Sequence, residues 1–126
     1  MKRSILIGSA MLICVLAGAA GADSIERSLV VTATAYNSLP EQTDEEPHLA
    51  AWGDSIAPGM KAIAVSRDLI EIGLDHRTPV EIEGLPGVFL VLDKMHGRWE
   101  NRIDIYMGND LEAARSWGKR QVEINW

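Results

Sequence analysis

The chain has 126 residues, with 18 acidic against 12 basic side chains, a net charge of −6, and one cysteine. That length supports one compact domain with a modest core. The acidic excess disfavours nucleic acid and anionic lipid surfaces as partners, and a single cysteine excludes a disulfide framework.

Residues 1–22 read as a secretory signal peptide and are set apart from the fold. Lys2 and Arg3 form a basic start, and Ile5 to Ala17 is an apolar stretch interrupted only by Gly8 and Ser9. Ala20-Gly21-Ala22 supplies a small-x-small cleavage signal before Asp23. The stretch is too short for a comfortable membrane-spanning helix, so no integral membrane segment is expected after cleavage. Cys14 lies inside it, behind Ile13, which is too bulky for a lipidation signal; a retained lipid anchor is the weaker alternative. Cleavage leaves one domain over 23–126, without cysteine and with a net charge of −8. The expected location is the periplasm or the cell exterior, with association to the outer membrane left open.

Along the mature chain, residues 29–36 alternate with β-branched enrichment and predict a strand. Residues 37–61 are rich in Pro, Glu, Asp and Gly and predict a long irregular segment, of the kind that is functional or disordered. Residues 62–66 predict a second strand, and Asp68 to Ile72 a helical turn ended by Gly73. Strands follow at 79–83 and 88–92, joined through Gly84-Leu85-Pro86-Gly87, a strong turn signal. A fifth strand is expected at 102–106. A helix is expected from Asn109, with Glu112 in a capping box and Gly118 as its stop, and a sixth strand at 121–125. Six short strands with one or two small helices suggest a mostly β, small closed barrel.

Two aspartates, Asp93 and Asp104, stand out. Alternation puts Phe89, Val91 and Asp93 on one face of their strand, and Asp104 with Tyr106 opposite Ile103 and Ile105. If the two runs pair as a hairpin, the carboxylates lie near each other across the ladder. Two carboxylates in partly dry surroundings do not both ionise cheaply, so one pKa rises and supplies an acid near neutral pH. That is chemistry suited to glycosidic bonds. The structural alternative is that Asp93 seeds a turn and Asp104 pairs with Arg102 or Lys94.

Seven segments in order, TATAY at 32–36, AAWGD at 50–54, PGMKAIAVSRDLI at 58–70, VEIEGLPG at 80–87, VLDKM at 91–95, NRIDIYMG at 101–108 and ARSWGKRQVEI at 114–124, resemble the 3D (three-aspartate) domain. The resemblance spans roughly 29–126 and implies a six-stranded double-psi β-barrel, like the catalytic barrel of membrane-bound lytic transglycosylase A. It implies an exported enzyme of peptidoglycan turnover that cleaves between N-acetylmuramic acid and N-acetylglucosamine. In that reaction the sugar's own C6 hydroxyl attacks and closes a 1,6-anhydro ring. By the resemblance Asp93 is the acid–base and Asp104 the supporting aspartate that raises the pKa of its neighbour. No cofactor or metal is implied. Two departures stand out: AVSRD puts Ser66 where many members carry aspartate, with Asp68 displaced by two, and Lys94 to Trp99 replaces a Thr-Gly-Gly run.

The remaining candidates are read as substrate-binding residues. Thr34 and Tyr36 end the first strand and can hydrogen-bond a ligand, or only the barrel rim. Trp52 and Trp99 lie in polar loops and offer flat faces to sugar rings, or pin those loops. Lys94 and Arg98 make a basic spot suited to lactyl or peptide carboxylates, or are solvated turn residues, and His96 lies three residues from Asp93. His48, His76 and His96 lack ligand spacing and read as lone surface histidines, while Trp117 and Trp126 read as packing residues. The expected partner is the peptidoglycan glycan strand. The alternatives are a non-catalytic glycan-binding module related to expansin-type barrels and an ordinary glycoside hydrolase.

Overall fold

The computed structural model describes residues 27–38 and 50–126; the signal segment and His48 lie outside the described residues. Six strands carry the fold: β1 (Ser28–Tyr36), β2 (Ala62–Val65), β3 (Pro79–Ile82), β4 (Phe89–Lys94), β5 (Arg102–Tyr106) and β6 (Arg120–Asn125). Two short helices, α1 (Arg67–Ile70) and α2 (Leu111–Trp117), complete it. The strands close in the order β1-β5-β2-β4-β3-β6. β1–β5 and β2–β4 are parallel and the other four pairings antiparallel, a mixed closed barrel consistent with double-psi topology.

Period-two alternation builds the interior. Val31, Ala33, Ile63, Val65, Ile103, Ile105, Val122 and Ile124 meet in one buried cluster with Phe89 and Val91. Closure leaves no strand edge among the six, so their ladder groups are paired without a second sheet. A smaller cluster of Ile56, Ala62, Leu92 and Tyr106 lies on the opposite face of the same strands. β2 belongs to both clusters and is buried at all four residues, which is why it is made of Ala, Ile and Val. Trp117 seats α2 on β1 through its indole N–H to the Ala33 carbonyl at 3.2 Å.

Four local expectations change. The N-cap of α2 is Asp110, whose carboxylate accepts the Ala113 N–H at 3.0 Å, so Asn109 lies outside the helix and Glu112 is not in a capping box. β2 ends at Val65, because Ser66 leaves the ladder as the N-cap position of α1. β4 runs past Leu92 to Lys94, because it pairs with β2 along that length. β4 and β5 form no hairpin: β2 lies between them, parallel to one and antiparallel to the other. The Gly84–Gly87 turn forms as expected, both glycines taking positive φ (92° and 87°) that side chains disfavour.

Candidate functional site

The interposed β2 is what builds the site. Ala64 pairs with Asp104 on one side and with Asp93 on the other, and Thr34 pairs with Asp104. Thr34, Asp104, Ala64 and Asp93 therefore form one row across four strands. At about 4.8 Å per strand the two aspartate backbones stand about 10 Å apart, with only a methyl group between them. Both carboxyls line a groove of about 230 Å³ with Tyr36, Lys94, His96 and Trp99.

Strict alternation would have sent Asp93 inward with Phe89 and Val91. A register shift prevents this: Ile63 pairs with Val91, yet the next residue, Ala64, pairs with Asp93. Leu92 is the extra residue of a β-bulge, and both it and Asp93 turn to the outer face. The bulge thus moves a carboxylate out of an apolar interior and into the groove.

The two carboxyls differ in surroundings. Burial pushes the Asp104 carboxyl above its ordinary range, and the Asp93 charge adds to the push. The Thr34 hydroxyl, donating to Asp104 Oδ1 at 3.1 Å, and the Arg102 charge only partly offset it. Asp93 is held by backbone: its Oδ1 accepts the N–H groups of Ala51 at 2.8 Å and Lys94 at 2.9 Å. The carboxyl driven toward its protonated form is thus Asp104, which the resemblance casts as the supporting residue. Tyr36 lies beside both, its ring 5.4 Å from that of Tyr106. Burial, then the charges of Asp93 and Asp104, raise its phenol well above the usual range. Its buried hydroxyl has no hydrogen-bond partner among the described residues.

Of the sequence-derived candidates, Asp93, Asp104, Tyr36, Lys94, His96 and Trp99 come together in the groove. Thr34 acts on it through Asp104. Trp52 and Arg98 are one layer back. The Lys94 ammonium lies 5.1 Å from the Trp52 ring centre, and the Arg98 and Arg102 guanidinium groups lie 4.9 and 4.0 Å from that of Trp99. His96 Nδ1 accepts the Arg98 N–H at 3.1 Å, shaping the turn after β4.

His76 is not a lone histidine. Its Nε2 meets Asp54 Oδ2 at 2.5 Å, and its ring stacks on Trp52 at 4.7 Å and 21°. Arg77 Nη2 donates to Asp54 Oδ1 at 2.9 Å. The hydrogen bond from His76, with the charges of His76 and Arg77, holds the Asp54 carboxyl below its ordinary range against some desolvation. No pattern in the sequence links positions 22 residues apart on two loops, so this cluster is visible only in three dimensions.

The Ser66 departure also has a place. Ser66 is fully buried, and its hydroxyl accepts the Arg102 N–H at 3.0 Å. Asp68 Oδ2 accepts the Asn101 N–H at 2.9 Å. Desolvation pushes Asp68 up, but hydrogen bonds from Ser66, Asn101 and nearby N–H groups outweigh it and hold the carboxyl low. Neither residue lines the groove; both fasten the start of β5.

In chemical terms the groove offers a carboxyl biased toward its protonated form, a second carboxyl as acceptor, and aromatic walls from Tyr36 and Trp99. No group of three or more His, Cys, Asp or Glu suited to a metal ion converges among the described residues. No described helix is long and apolar enough to cross a membrane.

Among solved structures, the barrel is similar to the apo crystal structure of an expansin from Clavibacter michiganensis, with a TM-score of 0.52 and 17% sequence identity. The match covers 78% of this chain and 49% of the expansin chain, so the chain corresponds to about half of that protein. At that identity the likeness is one of fold. No family model and no curated protein sequence matches the chain.

Proposed function

We propose that the barrel engages a glycan strand of the bacterial cell wall in the groove between Asp93 and Asp104, after export directed by its amino-terminal segment. The carrying observation is the row in which Ala64 separates two carboxyls, leaving an open polar slot beside Trp99 and Tyr36. Sugar ligands suit such a slot, because they need hydrogen-bonding groups beside an aromatic wall. The expansin-like fold supports a cell-wall polysaccharide as the ligand class.

A second reading, cleavage by a lytic-transglycosylase-like reaction, is favoured by the burial of Asp104 beside Asp93. Burial, with the Asp93 charge adding to it, favours the protonated form of Asp104 and makes it available as a proton donor. The protonated member donates to the glycosidic oxygen as the bond from C1 to that oxygen breaks. The C6 hydroxyl then bonds to C1, and its proton returns to the carboxylate. Asp93 and Asp104 carry this chemistry, Thr34 orients Asp104, and Tyr36, Lys94, His96 and Trp99 hold the sugar.

Incubation with purified sacculi separates the readings. Binding alone makes the protein pellet with sacculi and releases nothing. Cleavage releases anhydro-muropeptides that mass spectrometry identifies, while new reducing ends would mark ordinary hydrolysis. Protein that neither pellets nor releases fragments would overturn the proposal.

A further inference from the structure

A short turn outside the groove holds one of its carboxylates. Residues 50–54 close on themselves through Ala50 N–H to Asp54 O at 2.9 Å and Gly53 N–H to Ala50 O at 2.8 Å. From this turn the Ala51 N–H reaches Asp93 Oδ1 at 2.8 Å. Residues 50–54 belong to no strand of the barrel, so no ladder sets the direction of that N–H.

The direction is set from the side. The Asp54 side chain, only 13% exposed, takes His76 Nε2 on one oxygen at 2.5 Å and Arg77 Nη2 on the other at 2.9 Å. The same imidazole stacks on Trp52, which in turn packs on the main core. Arg77 has a left-handed backbone (φ 69°), and its N–H is bonded to the Val91 carbonyl at 2.7 Å. A side-chain-bearing residue stays in that region where its surroundings over-determine it. The turn is thereby tied to β4 at Val91, two residues before Asp93.

We infer that Asp54, His76 and Arg77 form a clamp that positions Asp93, by fixing the 50–54 turn so that the Ala51 N–H meets Asp93 Oδ1. With Oδ1 engaged by Ala51 and Lys94, the carboxylate plane is locked and its second oxygen is presented in one orientation, as a preorganised site requires. None of the three clamp residues lines the groove; they act through the turn. The role in catalysis rests on the proposed glycan site, whereas the clamp itself is a matter of bonding.

The test follows two amide protons by NMR against pH in the full mature chain. Ala51 and Lys94 both donate to Asp93 Oδ1, so both shifts follow the ionisation of Asp93, and Asp93→Asn removes both responses. His76→Ala and Asp54→Ala are expected to abolish the response at Ala51 and retain it at Lys94, which reaches Oδ1 from β4 itself. His76→Gln, which keeps a donor near the Nε2 position, is expected to restore part of the Ala51 response. In sacculus digestion the same alanine variants are expected to lower kcat with KM unchanged. An unchanged Ala51 response in both alanine variants would overturn the clamp. So would loss at both amides, because the cluster would then support the barrel as a whole. If wild-type protein neither binds nor cleaves sacculi, the proposed function fails, and the two amides still decide the clamp.

Discussion

Asp68 and Asp104 lie near opposite faces of the same problem: how to place a carboxyl against the β5 region of a small barrel. Asp68 is supplied with donors from Ser66, Asn101 and adjacent backbone, and the charged form wins despite desolvation. Asp104 is more deeply placed and, among the described residues, has one neutral donor, Thr34, so burial wins and the proton is favoured. Donor supply set against burial decides whether a carboxylate serves as a fastener or as an acid. The same contrast separates the residues that hold β5 from those that face the groove.

The largest effect expected from breaking this contrast is kinetic. If the groove cleaves glycan, Asp93→Asn and Asp104→Asn each lower the rate of anhydro-muropeptide release by about 10²–10⁴-fold, the usual contribution of a positioned proton donor. Asp68→Asn leaves the rate per folded molecule unchanged. Circular dichroism of all three variants distinguishes chemistry from misfolding. Equal loss in all three would erase the distinction between fastener and acid.

Next in size is stability. Ser66→Ala leaves the part-buried Arg102 N–H without its Ser66 acceptor and removes a donor from Asp68, at a cost of about 1–3 kcal/mol in denaturant unfolding. Besides the bond to Asp104, Thr34→Val removes only a long 3.5 Å contact from its hydroxyl to the Ile103 carbonyl, and it costs less. It also takes away the Thr34 hydrogen bond that favours the charged form of Asp104, so that carboxyl climbs further, which carbon-detected NMR titration reads directly. A fall, or no change, would show that Thr34 does not tune Asp104.

The pH dependence of stability sharpens the contrast because the two signs are opposite. Asp68, lowered from 3.8, contributes stability that is fully present above that value and is lost as pH falls through its folded value. Asp104, raised from 3.8, binds its proton more tightly when folded, so stability declines as pH rises from there toward its folded value. Asp104→Asn is therefore expected to flatten the decline and leave the protein more stable at neutral pH. Asp68→Asn removes only the acid-side loss, a small and salt-sensitive effect because that carboxyl is largely exposed. Unfolding midpoints measured across pH check both signs.

The smallest effect concerns Tyr36. Its buried hydroxyl has no partner among the described residues, so Tyr36→Phe leaves stability unchanged or slightly higher. If that hydroxyl serves a sugar, the same variant weakens pelleting with sacculi. A variant that is destabilised, or that binds as well as wild type, would remove Tyr36 from the ligand-binding set.

What the sequence determined by itself is local. Apolar, β-branched runs bounded by turn residues marked the six strands, and alternation marked which residues of β1, β5 and β6 face the core, because side-chain direction in a regular strand follows from its own backbone. The glycines at 84 and 87 marked their turn for the same reason. Asp93 and Asp104 were legible as candidates because each interrupts an apolar strand with a charge. Their relation was not legible. Only the tertiary structure inserted β2 between β4 and β5, so that Ala64 rather than a hairpin ladder separates the two carboxyls. Only it placed the bulge at Leu92 that re-aims Asp93, because a bulge is a mismatch between two strands and exists in neither alone. The pairing of Asp54 with His76 is of the same kind. Contacts between loops distant in sequence depend on how the barrel closes, and no residue pattern along the chain encodes that distance.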